Sequence, residues 1–162
     1  MSSAPSLVLD NSILSAFRAA GWFHSLGFWC GEYQPSVSQR IWREEFLPHH
    51  DVTSKPDWLI VSSADLKSVQ TSARGQLSKA DWTCIGLAEK HEEGRIITND
   101  RALREVAQNR DIAAEWGTKF AIETFERCGI SKREYDAGKS RYISDTLISG
   151  DIANAVRNAE KR

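Results

Sequence analysis

The sequence predicts an α/β fold: a central, mostly parallel sheet of about four or five strands between helical layers. Short apolar runs such as Leu7-Val8-Leu9, Trp58-Leu59-Ile60-Val61 and Ile96-Ile97 have the length and character of strands buried on both faces. Stretches with apolar residues at helical spacing lie between them, and glycines, prolines and small polar residues mark the joins. Short buried strands alternating with helices make a parallel sheet, and ligands gather at the carboxyl ends of its strands.

The elements follow in order. Leu7 to Asp10 reads as a buried strand. Ile13, Leu14, Phe17 and Ala20 then fall on one helical face, and Gly21 ends the pattern. The aromatic stretch Trp22 to Tyr33 reads as a short helix, then a strand leading to Pro35. Ser36 to Phe46 reads as a helix stopped by Pro48. Beyond His49 the pattern weakens to a strand over 58–61 and a short helix from Asp65 to Ser72. Asp81, Cys84, Ile85 and Ala88 share a helical face, with Gly94 placed as a terminal cap. Ile96-Ile97 is a strand, Leu103, Val106 and Ala107 mark a helix, and Ala113 to Trp116 is a last short strand. Gly117-Thr118 opens a helix through Phe120, Ala121, Thr124, Phe125 and Cys128 that Gly129 closes. Ser131 to Glu134 has capping-box spacing for another helix.

A chain of 162 residues with 41% hydrophobic and 27% charged residues suits one globular domain. Its expected extent is 5–145, with 146–162 a polar tail, helical or frayed. The net charge of −1 excludes a broadly basic nucleic-acid binder, so any phosphate-binding surface must be a local patch. Cys30, Cys84 and Cys128 are far apart and form no CxxC pair, as expected of reduced thiols. No apolar run is long enough to cross a bilayer, and the first residues lack a signal peptide's basic start and apolar core. The expected location is cytoplasmic, without a membrane partner.

Several carboxylates sit where solvation does not explain them. Asp10 ends the first apolar run, Asp81 lies on the inward face of an apolar helix, and Asp100 ends the run from Ile96. Glu44 and Glu45 follow Val37, Ile41 and Trp42 in a helix-like stretch. A buried ionised carboxylate is costly unless paired or metal-bound, and several together repel. Each has a plainer explanation: Asp10 and Asp100 suit helix N-caps, Asp81 completes a capping box with Ser78, and Glu44 and Glu45 suit a solvated face. Jointly they suit Mg²⁺ or Mn²⁺, which take oxygen ligands, some directly and others through water.

At these residues the chain resembles the PIN domain family of metal-dependent nucleases. Leu7-Val8-Leu9-Asp10-Asn11-Ser12-Ile13-Leu14 is similar to the family's opening motif. The stretch from Leu77 through Asp81 to Ala88 is similar to its central motif, and Ile97-Thr98-Asn99-Asp100-Arg101-Ala102-Leu103-Arg104 to its third. The Gly117-Thr118 step into a helix is also similar, and the resemblance runs in order from Leu7 to Ile130. For the family's second acid, Glu45 with Phe46 after it and Ile41 four positions back fits better than Glu44.

The resemblance implies a PIN-like α/β/α sandwich whose Asp10, Glu45, Asp81 and Asp100 bind Mg²⁺ or Mn²⁺ and cleave RNA by activated water. A likeness in size to VapC-type toxins implies a type II toxin that forms a homodimer, with an antitoxin covering the acidic cleft. The extra residues around 49–75 and after Ser144 leave a stand-alone RNA-processing nuclease open. A PIN-like binding or assembly module that does not cleave is the rival from another class. A phosphohydrolase using a phosphorylated Asp fits poorly, since Ser12 stands where its second Asp belongs.

Other residues carry less. His24, His49, His50 and His91 have no metal-triad spacing. The six tryptophans read as core packing, with Trp42 and Trp116 the two to consider for RNA contact. Arg40, Arg43, Lys79, Arg101 and Arg104 lie close in sequence to the acids and could hold phosphates. Ser12 could orient Asp10 or cap the helix that follows.

Overall fold

The computed structural model describes residues 4–50, 54–64, 77–90 and 93–160. The helix expected from Asp65 to Ser72 lies outside them, as does His91. Among the described residues five parallel strands form one sheet in the order β3-β2-β1-β4-β5. They are β1 (Ser6–Leu9), β2 (Gln34–Ser38), β3 (Ile60–Ser62), β4 (Arg95–Thr98) and β5 (Ala113–Trp116). The expected α/β/α architecture with a parallel sheet is the observed one.

The helices are α1 (Asn11–Ala20), α2 (Lys79–Glu89), α3 (Arg101–Asn109), α4 (Gly117–Glu126), α5 (Lys132–Thr146) and α6 (Gly150–Asn158), with a 3₁₀ helix over Phe23–Gly31. Right-handed crossovers decide the layers. The connection from β1 to β2 moves one way along the sheet, and those from β3 to β4 and from β4 to β5 move the other way. So α1 lies on one face, where it meets α4 and α5 through Phe17, Phe120 and Tyr142. On the opposite face α2 and α3 are joined by Arg110, which pairs with Glu89 at 3.0 Å and lies over the Trp82 ring.

The strands at the centre are fully buried: Leu7, Val8, Leu9, Ile96 and Ile97 are all at most 1% exposed. Beneath α1, Trp22 stacks between Tyr135 and Tyr142 at centroid distances of 5.0 and 5.4 Å. Its indole N–H donates to the Glu134 carbonyl. Core packing therefore accounts for Trp22, and also for Trp29, Trp42 and Trp82, which are buried. Gly21 caps α1 in the left-handed region at φ 82°, where other residues are strained.

Four boundaries differ from the expectation. Ser36 to Ser38 do not begin a helix; they belong to β2, paired on both sides by β1 and β3. Pro35 within a paired strand, and serines around a single Val, hide such a strand from a reader of propensities. The helix that follows is a π-helix over Ile41–Phe46, ending in a 3₁₀ turn that contains Pro48. Helix α2 ends at Glu89 with Lys90 as its cap, so Gly94 is not its cap. At the end of α4 it is Cys128, at φ 70°, that takes the left-handed conformation, and Gly129 follows it. The third strand is also displaced, to Ile60–Ser62. In the segment after Thr146, α6 packs on α5 through buried Ala153 and Val156.

Candidate active site

Parallel strands that return through helices place every strand's carboxyl end, and the amino ends of α1, α2, α3 and α4, along one edge of the sheet. Ligands collect at this edge in open α/β sheets. Asp10 follows β1, Glu45 rides the π-helix after β2, Asp81 sits in the first turn of α2, and Asp100 follows β4. π-Bulges of this kind recur at functional sites because they re-aim one side chain within a helix.

Asp10 is 5% exposed, and its carboxylate does not cap α1. Its Oδ2 accepts hydrogen bonds from the Thr98 hydroxyl at 2.6 Å and the Ser12 hydroxyl at 3.0 Å. The Thr98 oxygen in turn accepts from the Asp100 backbone N–H, and the Ser12 oxygen from the Asn99 N–H, both at 3.0 Å. Each hydroxyl has a single proton and gives it to Asp10, so the strands carrying Asp10 and Asp100 are tied through two hydroxyls. Ser12 therefore orients Asp10. Thr98, fully buried, is the residue that the sequence reading missed. Its signal was a polar side chain closing a buried apolar strand.

The plainer explanations hold for two acids and coexist with the site. Asp81 forms the capping box with Ser78, and Asp100 Oδ1 caps α3 by accepting from the Ala102 and Leu103 N–H groups. Glu44 and Glu45 separate cleanly. Glu44 is exposed and 3.8 Å from the Arg40 guanidinium, whereas Glu45 is half-buried and within the field of Asp10 and Asp81.

The acids act on one another through their charges. Burial raises the Asp10 carboxyl above its ordinary value, partly offset by Thr98, Ser12 and the Asn11 N–H, and Asp100 adds to the rise. Burial, then Asp10 and Asp81, raise Glu45. Burial, then Asp10, raise Asp81, with a further rise from Asp100. The buried Cys84 thiol is pushed far up by burial and then by all four acids. It stays protonated and is no nucleophile. Among the described residues none of the four carboxylates has an ion-pair partner.

A family model described as PIN domain matches residues 6–121. The chain belongs to the PIN domain family. The matched segment runs from β1 into α4, and α5 and α6 lie beyond it. PIN domains are generally nucleases, and they typically use divalent metals. No curated protein and no solved structure shows significant similarity to the chain.

The residues present fit such a metal in a particular way. The donors are all hard oxygens, which suit Mg²⁺ or Mn²⁺, and among the described residues none of the four has an ion-pair partner. Among the described residues no three carboxylate, imidazole or thiol groups close around a single point. A cation at these four acids would have to be held directly by one or two carboxylates and through water by the others.

The GlyThr step of this PIN domain supports the same edge. A Cβ on Gly117 would lie 2.1 Å from Ile13 Cδ1 and 2.7 Å from Asn99 Oδ1, so only glycine lets α4 start there. The Thr118 hydroxyl donates to Asn99 Oδ1 at 3.3 Å and lies 3.1 Å from the Tyr142 hydroxyl. Of the two tryptophans considered for RNA contact, Trp42 is buried. Trp116 is half-exposed with the Arg104 guanidinium over its ring. The described histidines lie elsewhere: His24 pairs with Glu134, and His50 stacks on Phe46 and contacts Ser15.

Proposed function

We propose that the protein is an endoribonuclease dependent on Mg²⁺ or Mn²⁺, with Asp10, Glu45, Asp81 and Asp100 as its acids. The observation that carries the reading is a shared field. Asp10, Glu45 and Asp81 have raised proton affinity, in part from one another's charge and that of Asp100, at the carboxyl edge of a PIN sheet, and among the described residues none of the four has an ion-pair partner. A metal bound there would supply a water of lowered pKa and neutralise charge on the scissile phosphate.

The chain's own residues do the rest. Thr98 and Ser12 fix the Asp10 carboxylate through Oδ2, so Oδ1 accepts from neither hydroxyl. The α3 N-terminus holds Asp100 by two backbone N–H groups, which sets its orientation without consuming Oδ2. Glu45 and Asp81, whose proton affinity is raised without metal, would be held ionised by a bound cation and serve as its ligands.

The narrower reading, a type II toxin acting as a homodimer with an antitoxin over the cleft, rests on the resemblance to VapC-type toxins. RNA as the substrate rests on the same resemblance. The deciding experiment is cleavage of a mixed single-stranded and structured RNA pool with Mn²⁺ or Mg²⁺ against EDTA, for wild type, Asp10→Asn and Asp81→Asn. Metal-dependent cutting lost in both variants supports the reading. A folded, partner-free protein that cuts with neither metal is instead a binding module on a PIN fold.

A further inference from the structure

The acid cluster has to receive a polyanion, and the chain as a whole is not basic. Cationic side chains near it must therefore do the work locally. Of the basic residues close in sequence to the acids, three are engaged or turned away. Arg101 pairs with Glu105 at 2.9 Å. Arg104 donates to the Thr98 carbonyl at 3.2 Å and covers Trp116. Lys79 is two residues from Asp81 on α2, a spacing that points them apart.

Arg43 remains, and it shares a cleft with Arg40. The cleft has a volume of about 300 Å³ and lies between the start of the π-helix, the chain leaving β3 at Ser63, and Thr83 of α2. Its position is the carboxyl end of β2 and β3, beside the two elements that carry Glu45 and Asp81. The π-helix thus presents Glu45 to the acid cluster and Arg40 and Arg43 to the neighbouring cleft. Glu44, the carboxylate in the cleft, is already matched by Arg40. Arg43 has no carboxylate partner among the described residues. With the Gln39 amide oxygen turned toward it, Gln39 accepts from both of its terminal nitrogens at 3.3 and 3.1 Å, which holds the guanidinium in place. The cleft therefore carries one guanidinium in excess, in a polar hollow.

We propose that this cleft is a phosphate subsite, in which Arg40 and Arg43 hold a backbone phosphate of the RNA strand next to the one presented to the acids. A guanidinium offers paired N–H donors that match phosphate oxygens, which suits Arg here better than Lys. The proposal rests on the nuclease reading for the identity of the strand, but it is tested by binding and not by cleavage.

The test is fluorescence anisotropy of an end-labelled single-stranded RNA oligonucleotide in Mg²⁺, across a salt series. The cleavage-silent Asp10→Asn protein is compared with the same protein carrying Arg40→Ala and Arg43→Ala. Arg133→Ala combined with Arg157→Ala, exposed residues of α5 and α6, is the control for two lost charges. The paired substitution should weaken binding about tenfold or more. Losing one phosphate contact should also make the salt dependence shallower by about 0.7 in log–log slope. In the otherwise wild-type protein it should raise KM and leave kcat unchanged. An affinity and slope equal to those of the control carrying Arg133→Ala and Arg157→Ala would overturn the subsite, whether or not the wild type cleaves. If the paired variant does not fold, Arg43→Gln alone gives the same readout.

Discussion

Two acid-rich regions lie at opposite ends of the sheet, and they are completed differently. Toward the amino edge Glu32, Glu115 and Glu123 surround Arg95 and Arg127. Arg95 pairs with Glu115 at 3.2 Å and lies over the Tyr33 ring. Arg127 pairs with Glu32, stands 3.9 Å from Glu123 and lies 4.8 Å from the Trp29 centroid. At the carboxyl edge Asp10, Asp81 and Asp100 accept from hydroxyls or backbone N–H groups, and among the described residues neither they nor Glu45 has an ion-pair partner. The same residue types thus make a self-sufficient network at one end and an unfinished one at the other. Clustered negative charge that the chain does not neutralise is arranged for a positive charge from outside.

The comparison can be broken first at Asp10. Asp10→Asn conserves shape and removes the charge at the centre of the cluster. Cleavage with Mn²⁺ should fall by about 100-fold or more, since a metal site supplies several kcal/mol of transition-state stabilisation. Melting in metal-free buffer should show no loss of stability, because a buried charge has been removed. An active Asp10→Asn protein would mean that the site is misplaced.

Metal binding is the next largest effect. Millimolar Mg²⁺ should raise the melting temperature of the wild type, and at a hundredfold excess over Kd the gain is about 2.7 kcal/mol. Asp10→Asn should lose most of that gain. Arg95→Ala, at the amino edge, should keep it. Equal loss in both would erase the distinction between the two regions.

Helix α4 connects them, from Gly117 beside Asn99 to Glu123 and Arg127. Gly117→Ala forces its new Cβ against Ile13 and Asn99 and should cost about 1–3 kcal/mol as overpacking. The melting temperature should then fall by several degrees, roughly 2–8 °C. Unchanged stability would show that α4 can shift away without strain.

The smallest effect is the pH dependence. Burial, and then their neighbours, raise Asp10, Glu45 and Asp81 above their unfolded values. The folded state therefore retains protons that the unfolded chain has released. The penalty is absent below the ordinary carboxylate value and grows as pH rises through the folded-state values. Metal-free protein should melt at progressively lower temperature as pH rises from the ordinary carboxylate range toward neutrality. Mg²⁺ should flatten most of that slope. Burial and Glu123 raise Glu115 in the same direction, so the slope left in Mg²⁺ should disappear in Glu115→Gln. A metal-free melting temperature that rises over this range would contradict the assignment of the raised groups.

Much of this was legible in the chain. The apolar runs at Leu7 and Ile96 identified the central strands because strands buried on both faces leave no alternative pattern. Asp10, Asp81 and Asp100 stood out because each interrupts or ends an apolar stretch. The second strand was not legible: Pro35 and three surrounding polar residues make a strand only because β1 and β3 pair with it. The π-helix was equally hidden, since its hydrogen-bond register leaves no mark in residue type. For the same reason Glu44 and Glu45 stayed close rivals in sequence and separated only in the fold.

The sequence by itself determined the α/β class, the order of its motifs and the residues able to carry charge into a buried edge, because periodicity and burial are local properties. The tertiary structure alone decided which of those charges meet. Thr98 reaches Asp10 across 88 residues of chain, the buried Cys84 comes within the field of all four acids, and Arg43 faces a cleft instead of a carboxylate. Such meetings depend on strand order and helix register, and contacts between distant segments exist only once the sheet has brought its carboxyl ends together.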